Sequence, residues 1–132
     1  MNDLCKKSNK ACYSCKYHIV WCTKYRRKLL TDEIQLRLKS LIQEIIDFNN
    51  CEIIEVESMN DHVHLMVESP PQLGIHNLIK RLKGKTSRLL RQEFSSLRTR
   101  VPTLWTNSYF VSTVGGAPLN IIKQYIEDQK NK

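Results

Sequence analysis

His62 and His64 stand two residues apart in an apolar, β-branched stretch. On a strand, residues i and i+2 project from one face, so both imidazoles would point the same way. That is a suitable placement for two ligands of one divalent metal ion. Tyr125 and Gln129 stand four apart in a helical pattern near the C-terminus, where this spacing shares a helix face. A tyrosine oxygen can attack phosphorus and hold a covalent intermediate. A glutamine carbonyl oxygen can complete a metal site begun by two histidines. Each pair also has an ordinary reading, as surface histidines or as a half-buried helix tyrosine. Tyr109 is the alternative nucleophile, but beside Phe110 in a β-rich run its favoured role is packing. His18 falls on an early strand and could face either way, and His76, at a helix start, reads as a surface residue.

The net charge of +8 and pI near 9.4 point to a polyanionic partner. The charge is concentrated. Between Leu73 and Arg100, Lys80, Arg81, Lys83, Lys85, Arg88, Arg91, Arg98 and Arg100 are opposed only by Glu93. This helix would lie beside the metal face and offer phosphate contacts. Lys24, Arg26, Arg27 and Lys28 form a second cluster. Tyr25 and Trp105 could stack on unpaired bases, although core packing is the commoner use of such a tryptophan.

At 132 residues, with 41% hydrophobic and 26% charged residues, the chain fits one globular domain rather than a disordered segment. No apolar run approaches the roughly 18 residues of a membrane span. The first residues lack a signal peptide's apolar stretch, so a cytoplasmic location is expected. Five cysteines, an odd count, argue against a disulfide framework, and the lone Cys12-Tyr13-Ser14-Cys15 motif lacks clear partners for a structural zinc.

The elements that must hold these residues follow from periodicity. Residues 1–15 read as a flexible tail, and 17–23 as a strand. Thr31 is an N-cap signal, followed by Asp32 and Glu33. From there Ile34, Leu38, Leu41, Ile42, Ile45 and Ile46 recur at helical spacing as far as Asn49-Asn50. Residues 51–58 and 62–68 read as a hairpin of strands joined through Met59-Asn60-Asp61. A helix over about 73–95 carries Ile75, Leu78, Ile79, Leu82, Leu89 and Leu90 on one stripe, with Gly84 weakening its middle. Residues 108–114 form a last strand. Gly115-Gly116 is a joint before a final helix over about 118–130. Strand, helix, strand, strand, helix, strand is the split βαβ, ferredoxin-like order of an α+β fold. Two helices would cover one face of an antiparallel sheet and leave the other for ligands.

Taken together, the chain resembles the small single-tyrosine HUH transposases (IS200-like) of bacterial and archaeal insertion sequences. Four stretches carry the resemblance, in order, from Tyr17 to Gln129. They are Tyr17-His18-Ile19-Val20-Trp21-Cys22-Thr23-Lys24-Tyr25-Arg26-Arg27, Asn60-Asp61-His62-Val63-His64-Leu65, Trp105 through Gly116, and Ile122-Lys123-Gln124-Tyr125-Ile126. The resemblance implies a transposase that cleaves and rejoins single-stranded DNA at hairpin-bearing ends through a 5′-phosphotyrosine. It implies Tyr125 as nucleophile, His62, His64 and Gln129 as ligands of magnesium or manganese, and a homodimer whose active sites can be shared between subunits. The phenol needs a base to lose its proton at neutral pH, and the sequence does not name one. The alternative is a ferredoxin-like module that binds single-stranded nucleic acid without chemistry. A replication or conjugation nickase would share the chemistry but usually carries extensions that this short chain lacks.

Overall fold

The computed structural model describes residues 6–7, 12–114 and 119–131. Its elements are β1 (Lys6–Lys7), β2 (Cys12–Tyr13), β3 (Lys16–Cys22), α1 (Asp32–Phe48), β4 (Glu52–Ser58), β5 (His62–Glu68), α2 (Ile75–Glu93), α3 (Ser95–Arg100), β6 (Phe110–Thr113) and α4 (Leu119–Asp128). A 3-10 turn at Lys24–Arg26 follows β3, and another at Gln129–Asn131 follows α4.

Four strands form one antiparallel sheet in the order β4-β5-β3-β6. This is the ferredoxin-like arrangement expected from the element order, with β3 and β5 central. Period-2 alternation divides its residues. Ile19, Trp21, Val63, Leu65 and Val67 join the core with α1 and α2. Each is a large apolar side chain with essentially no exposure, worth about 1.5–3 kcal/mol on the transfer scale.

Helix α1 starts where its cap demands. The Thr31 hydroxyl accepts from Ile34 N at 3.3 Å, and Asp32 and Glu33 occupy the positive N-terminal turn. All six residues of its predicted stripe are buried. The helix stops at Asn49, and Asn50 takes up φ 58°, the left-handed conformation asparagine tolerates after a helix end. Helix α2 runs unbroken through Gly84 and buries Leu78, Ile79, Leu82, Thr86 and Leu90.

The structure corrects several expectations. Part of the tail expected to be loose is paired, since Lys6–Lys7 and Cys12–Tyr13 form a short antiparallel ladder. The second long helix ends at Glu93 rather than near 95, and a separate turn of helix, α3, follows. Arg91 Nη1 donates to the carbonyls of Leu97 and Val101 and ties that segment to α2. The last strand is shorter than expected, so Tyr109 precedes it rather than being fixed within it. The Gly115-Gly116 joint lies outside the described residues.

Candidate active site and nucleic-acid surface

The register places the chemistry. His62 pairs with Cys22 and His64 with Val20, so these four residues share the sheet face away from α1 and α2. His18, paired with Met66 and Ser112, lies on that face too, which fixes the orientation that the sequence left open. Across β3, Phe110 is the partner of Val20. Val20 and Cys22 are nevertheless completely buried, because α4 packs onto this side of β3. The face expected to be free is therefore partly roofed by the helix that bears Tyr125.

Each histidine has a defined partner. His62 Nδ1 lies 2.8 Å from Asp61 Oδ1. A carboxylate can only accept, so Nδ1 carries the proton and Nε2 is left with its lone pair. Burial pushes the Asp61 carboxyl up, but hydrogen bonds from His62 and Arg26 outweigh it and hold it below the ordinary value. His64 Nε2 lies 3.1 Å from His18 Nδ1. Burial, then the neighbouring His18, lowers the pKa of His64, which favours the neutral ligand form.

Tyr125 and Gln129 reach the same side of the sheet. The Tyr125 ring packs on Phe110 with centroids 5.6 Å apart. Its hydroxyl lies 3.0 Å from Ser108 Oγ, which in turn stands 3.0 Å from Gln129 Oε1. Gln129 is buried, at 2% exposure. Burial raises the phenol pKa, and the Ser108 hydrogen bond works against that rise. Phe110, Val20 and His64 lie in one row across three strands. At about 4.8 Å per strand, the Tyr125 platform is roughly 10 Å from His64. The two halves thus share a face without touching. Ser108, which joins the tyrosine to the glutamine, was not singled out from sequence; its only signal was membership of the Trp105–Gly116 stretch.

The donor chemistry fits a divalent cation. Two imidazoles from one strand face, one with a carboxylate behind it, and a buried glutamine oxygen are suitable nitrogen and oxygen ligands. Among the described residues, no group of three or more His, Cys, Asp or Glu side chains is gathered for a metal. A glutamine as third donor is of a different residue type.

The basic residues divide into two sets. Lys80, Arg81, Lys85 and Arg88 are exposed on α2, where with Ile45 and Phe48 of α1 and Asn49 at its C-terminal cap they line a groove of about 480 Å³. Helix α2 packs on the sheet face opposite the histidines, so its cations do not flank His62 and His64 as expected. Of the first cluster, Lys24 lies over the Tyr25 ring, and Arg27 donates to the Arg100 carbonyl at 3.0 Å from an exposed position. Two of the predicted DNA contacts are occupied inside the protein. Arg26 Nε donates to Asp61 at 2.8 Å. Lys83 Nζ donates to the carbonyls of Thr106 and Ser108 at 2.7 and 2.9 Å, and burial pulls its pKa down to about 8. Lys83 thereby holds the segment that presents Ser108 to Tyr125. Trp105 is core: it is 5% exposed, donates Nε1–H to Thr86 Oγ1 at 3.0 Å and packs edge-on against Trp21. Tyr25 is half exposed. His76 is exposed as expected, but it hydrogen-bonds Tyr109, giving the alternative nucleophile a fixed structural partner.

Comparison with known proteins gives consistent matches at the level of family and fold. The model of the family described as "Transposase IS200 like" matches residues 11–129. The chain is 36% identical over 129 residues to the ISDra2 transposase TnpA of Deinococcus radiodurans, covering 96% of this chain and 92% of that protein. It is 33% identical over 123 residues to the transposase of insertion sequence element IS200 from Salmonella typhimurium, covering 89% and 81%. A crystal structure of a candidate transposase from Deinococcus radiodurans R1 superposes with a TM-score of 0.84 at 34% identity, over 96% of this chain and 99% of that one. A REP-associated tyrosine transposase bound to a REP hairpin shares the fold, with a TM-score of 0.61 at 10% identity, over 86% of this chain and 62% of that one. The chain belongs to the IS200-like, single-tyrosine HUH transposase family. Among the described residues, no helix is long and apolar enough to cross a membrane.

Proposed function

We propose that this protein is a transposase that cleaves and rejoins single-stranded DNA at hairpin-bearing element ends, with Tyr125 as nucleophile. The observation that carries the reading is the convergence of three side chains. Tyr125 and Gln129 meet at Ser108, on the sheet face that also bears His62 and His64. A purely structural tyrosine would not need a glutamine and two histidines on its own face. Family membership makes transposition chemistry the natural use of them.

In this reading His62, His64 and Gln129 hold magnesium or manganese. When bound, the ion would act as a Lewis acid on the scissile phosphate and orient it. The protein's own groups do the rest. Asp61 keeps the proton on His62 Nδ1 and so leaves Nε2 available. Ser108 accepts the Tyr125 proton in a hydrogen bond and fixes the phenol's direction. Attack of Tyr125 Oη on phosphorus forms a 5′-phosphotyrosine and expels a 3′-hydroxyl. Attack by a 3′-hydroxyl on the phosphotyrosine reverses the step and joins strands. The bond energy is retained in the covalent link, so no nucleotide is consumed. Gln129 is held by Ser108, so it joins the histidines only after that bond is exchanged. We further propose that the protein works as a homodimer in which α4 of one subunit can serve the histidines of the other.

A non-enzymatic single-strand-binding module would use the α2 groove equally well. Incubation with hairpin-bearing single-stranded oligonucleotides and manganese separates the readings. A denaturation-resistant protein–DNA adduct is the outcome of the transposase reading; reversible binding alone is that of the binding module.

A further inference from the structure

The turn after β3 contains two consecutive non-glycine residues in the left-handed region, Tyr25 at φ 57° and Arg26 at φ 52°. L side chains disfavour this conformation, and it persists only where the surroundings impose it. Here Thr23 Oγ1 donates to Arg27 O at 2.6 Å, Arg26 N to Thr23 O at 2.8 Å, and Lys24 N to Leu104 O at 2.8 Å. The result is that Arg26 turns inward, with a side chain only 21% exposed. Its guanidinium faces two separate parts of the candidate site. Nε donates to Asp61 Oδ2 at 2.8 Å, while Asp61 Oδ1 holds His62 Nδ1 at the same distance. Nη1 donates to Glu127 Oε2 at 3.2 Å and to the Ile126 carbonyl at 3.4 Å, in the last turn of α4.

We propose that Arg26 is a positioning residue, a clamp that couples the seating of the tyrosine-bearing helix to the orientation of His62. This rests on the roles proposed above for Tyr125 and His62. With both oxygens of Asp61 engaged, its carboxylate cannot rotate, and the His62 tautomer and ring plane are fixed. The same cation shares Glu127 with Lys130, which pairs with the other carboxylate oxygen, and meets the negative end of α4, where a basic group is favourable. The planar fork of arginine reaches both partners at once from fixed directions; the single ammonium of lysine does not. The contacts are unequal. The Asp61 bond is short and shielded, whereas Glu127 is 56% exposed. Helix α4 is therefore the looser end of the clamp, and its release would let the guanidinium shift against Asp61.

The test changes one end of the clamp and reads the other, on the full chain without metal or DNA. Glu127→Ala touches no histidine, and Asp61→Asn touches nothing on α4. The Nδ1 proton signal of His62 is read by nuclear magnetic resonance, and backbone hydrogen exchange is read over residues 119–128. Glu127→Ala should move the His62 signal. Asp61→Asn should speed exchange in α4, up to roughly fivefold, the scale of a partly exposed ion pair. Arg26→Lys should do both, with exchange in α1 unchanged in every variant. If each variant alters only its own end, the clamp is overturned. Should Asp61→Asn fail to fold, the His62 signal in Glu127→Ala decides alone. Neither readout depends on cleavage, so a protein that forms no adduct would defeat the transposase reading and leave this result separately legible.

Discussion

The hydroxyls of Tyr125 and Ser108 lie 3.0 Å apart, and the direction of that bond is determined by a third group. Ser108 Oγ donates its single proton to Gln129 Oε1, so Tyr125 must be the donor to Ser108. The nucleophile's proton thus points along a chain that ends on a proposed metal ligand. Replacing Ser108 with Ala removes both links. Loss of one neutral hydrogen bond is worth about 1 kcal/mol, which is roughly a fivefold slower single-turnover cleavage. When the phenol ionises, Ser108 can turn its proton from Gln129 to the phenolate, and that bond lowers the Tyr125 pKa, so its removal should move the alkaline rise of the cleavage rate to higher pH. Rates and profiles equal to wild type would remove Ser108 from the mechanism.

The histidine pair gives a second expectation. His62→Ala and His64→Ala should each abolish cleavage and leave the fold intact, because both side chains lie outside the α1–α2 core. Hairpin binding should persist, since exposed cations supply it. Mixing His64→Ala with Tyr125→Phe tests sharing between subunits. If sites are built across a dimer, one site in the mixed dimer is intact and part of the cleavage returns. If each chain completes its own site, mixing restores nothing.

Salt dependence should distinguish the two sets of basic residues. Lys80, Arg81, Lys85 and Arg88 are exposed, whereas Lys83 spends its charge on two carbonyls. Each phosphate contact on a single strand contributes a slope of about −0.7 to log affinity against log salt. Lys85→Ala and Arg88→Ala should each flatten the slope by about that amount. Lys83→Met should leave the slope unchanged and slow cleavage by loosening the 106–108 segment. An equal loss of slope in Lys83→Met would place that lysine on the DNA.

Lys83 and Cys22 carry the largest shifts behind the alkaline stability profile, and burial also raises Cys51 and Tyr125, which act in the same direction as Cys22. Lys83 is pulled down to about 8 from 10.5 by burial, and Cys22 is pushed up to about 12 from 9.0, chiefly by burial with Asp61 adding to it. Between pH 8 and 10.5 the unfolded chain keeps a proton on Lys83 that the folded chain has lost, so this group makes stability rise with pH. The Cys22 contribution is full below pH 9 and is lost as pH rises toward 12. The urea midpoint should climb from pH 8 to 9, level while the two effects oppose, and fall above 10.5. Lys83→Met should remove the climb. A climb that survives this substitution would assign it to another group.

Much of this arrangement was legible because periodicity encodes sidedness. Val63 and Leu65 had to face the helices, so His62 and His64 had to face away. The same alternation placed the basic helix on the opposite side from the histidines, a consequence that charge clustering obscured. Thr31 and six aliphatic residues at helical spacing specified α1. What could not be read depends on long-range partners. Arg26 and Lys83 have the residue type of surface phosphate contacts, and only the approach of Asp61, Glu127 and two carbonyls turns them inward. Ser108 carries no local signal, since a serine before a strand is ordinary. The pairing of Lys6–Lys7 with Cys12–Tyr13 rests on backbone hydrogen bonds that no side-chain pattern announces.

Most directly, the account depends on which atom becomes bonded to DNA. Tyr125→Phe removes one hydroxyl and keeps the ring on Phe110, so folding and hairpin binding should be nearly unchanged. Wild-type protein and this variant can be incubated with a single-stranded hairpin oligonucleotide and manganese, denatured, digested and mapped by mass spectrometry. The account predicts an adduct on Tyr125 in the wild type and none in the variant. An adduct on Tyr109, or an undiminished adduct in Tyr125→Phe, would contradict it.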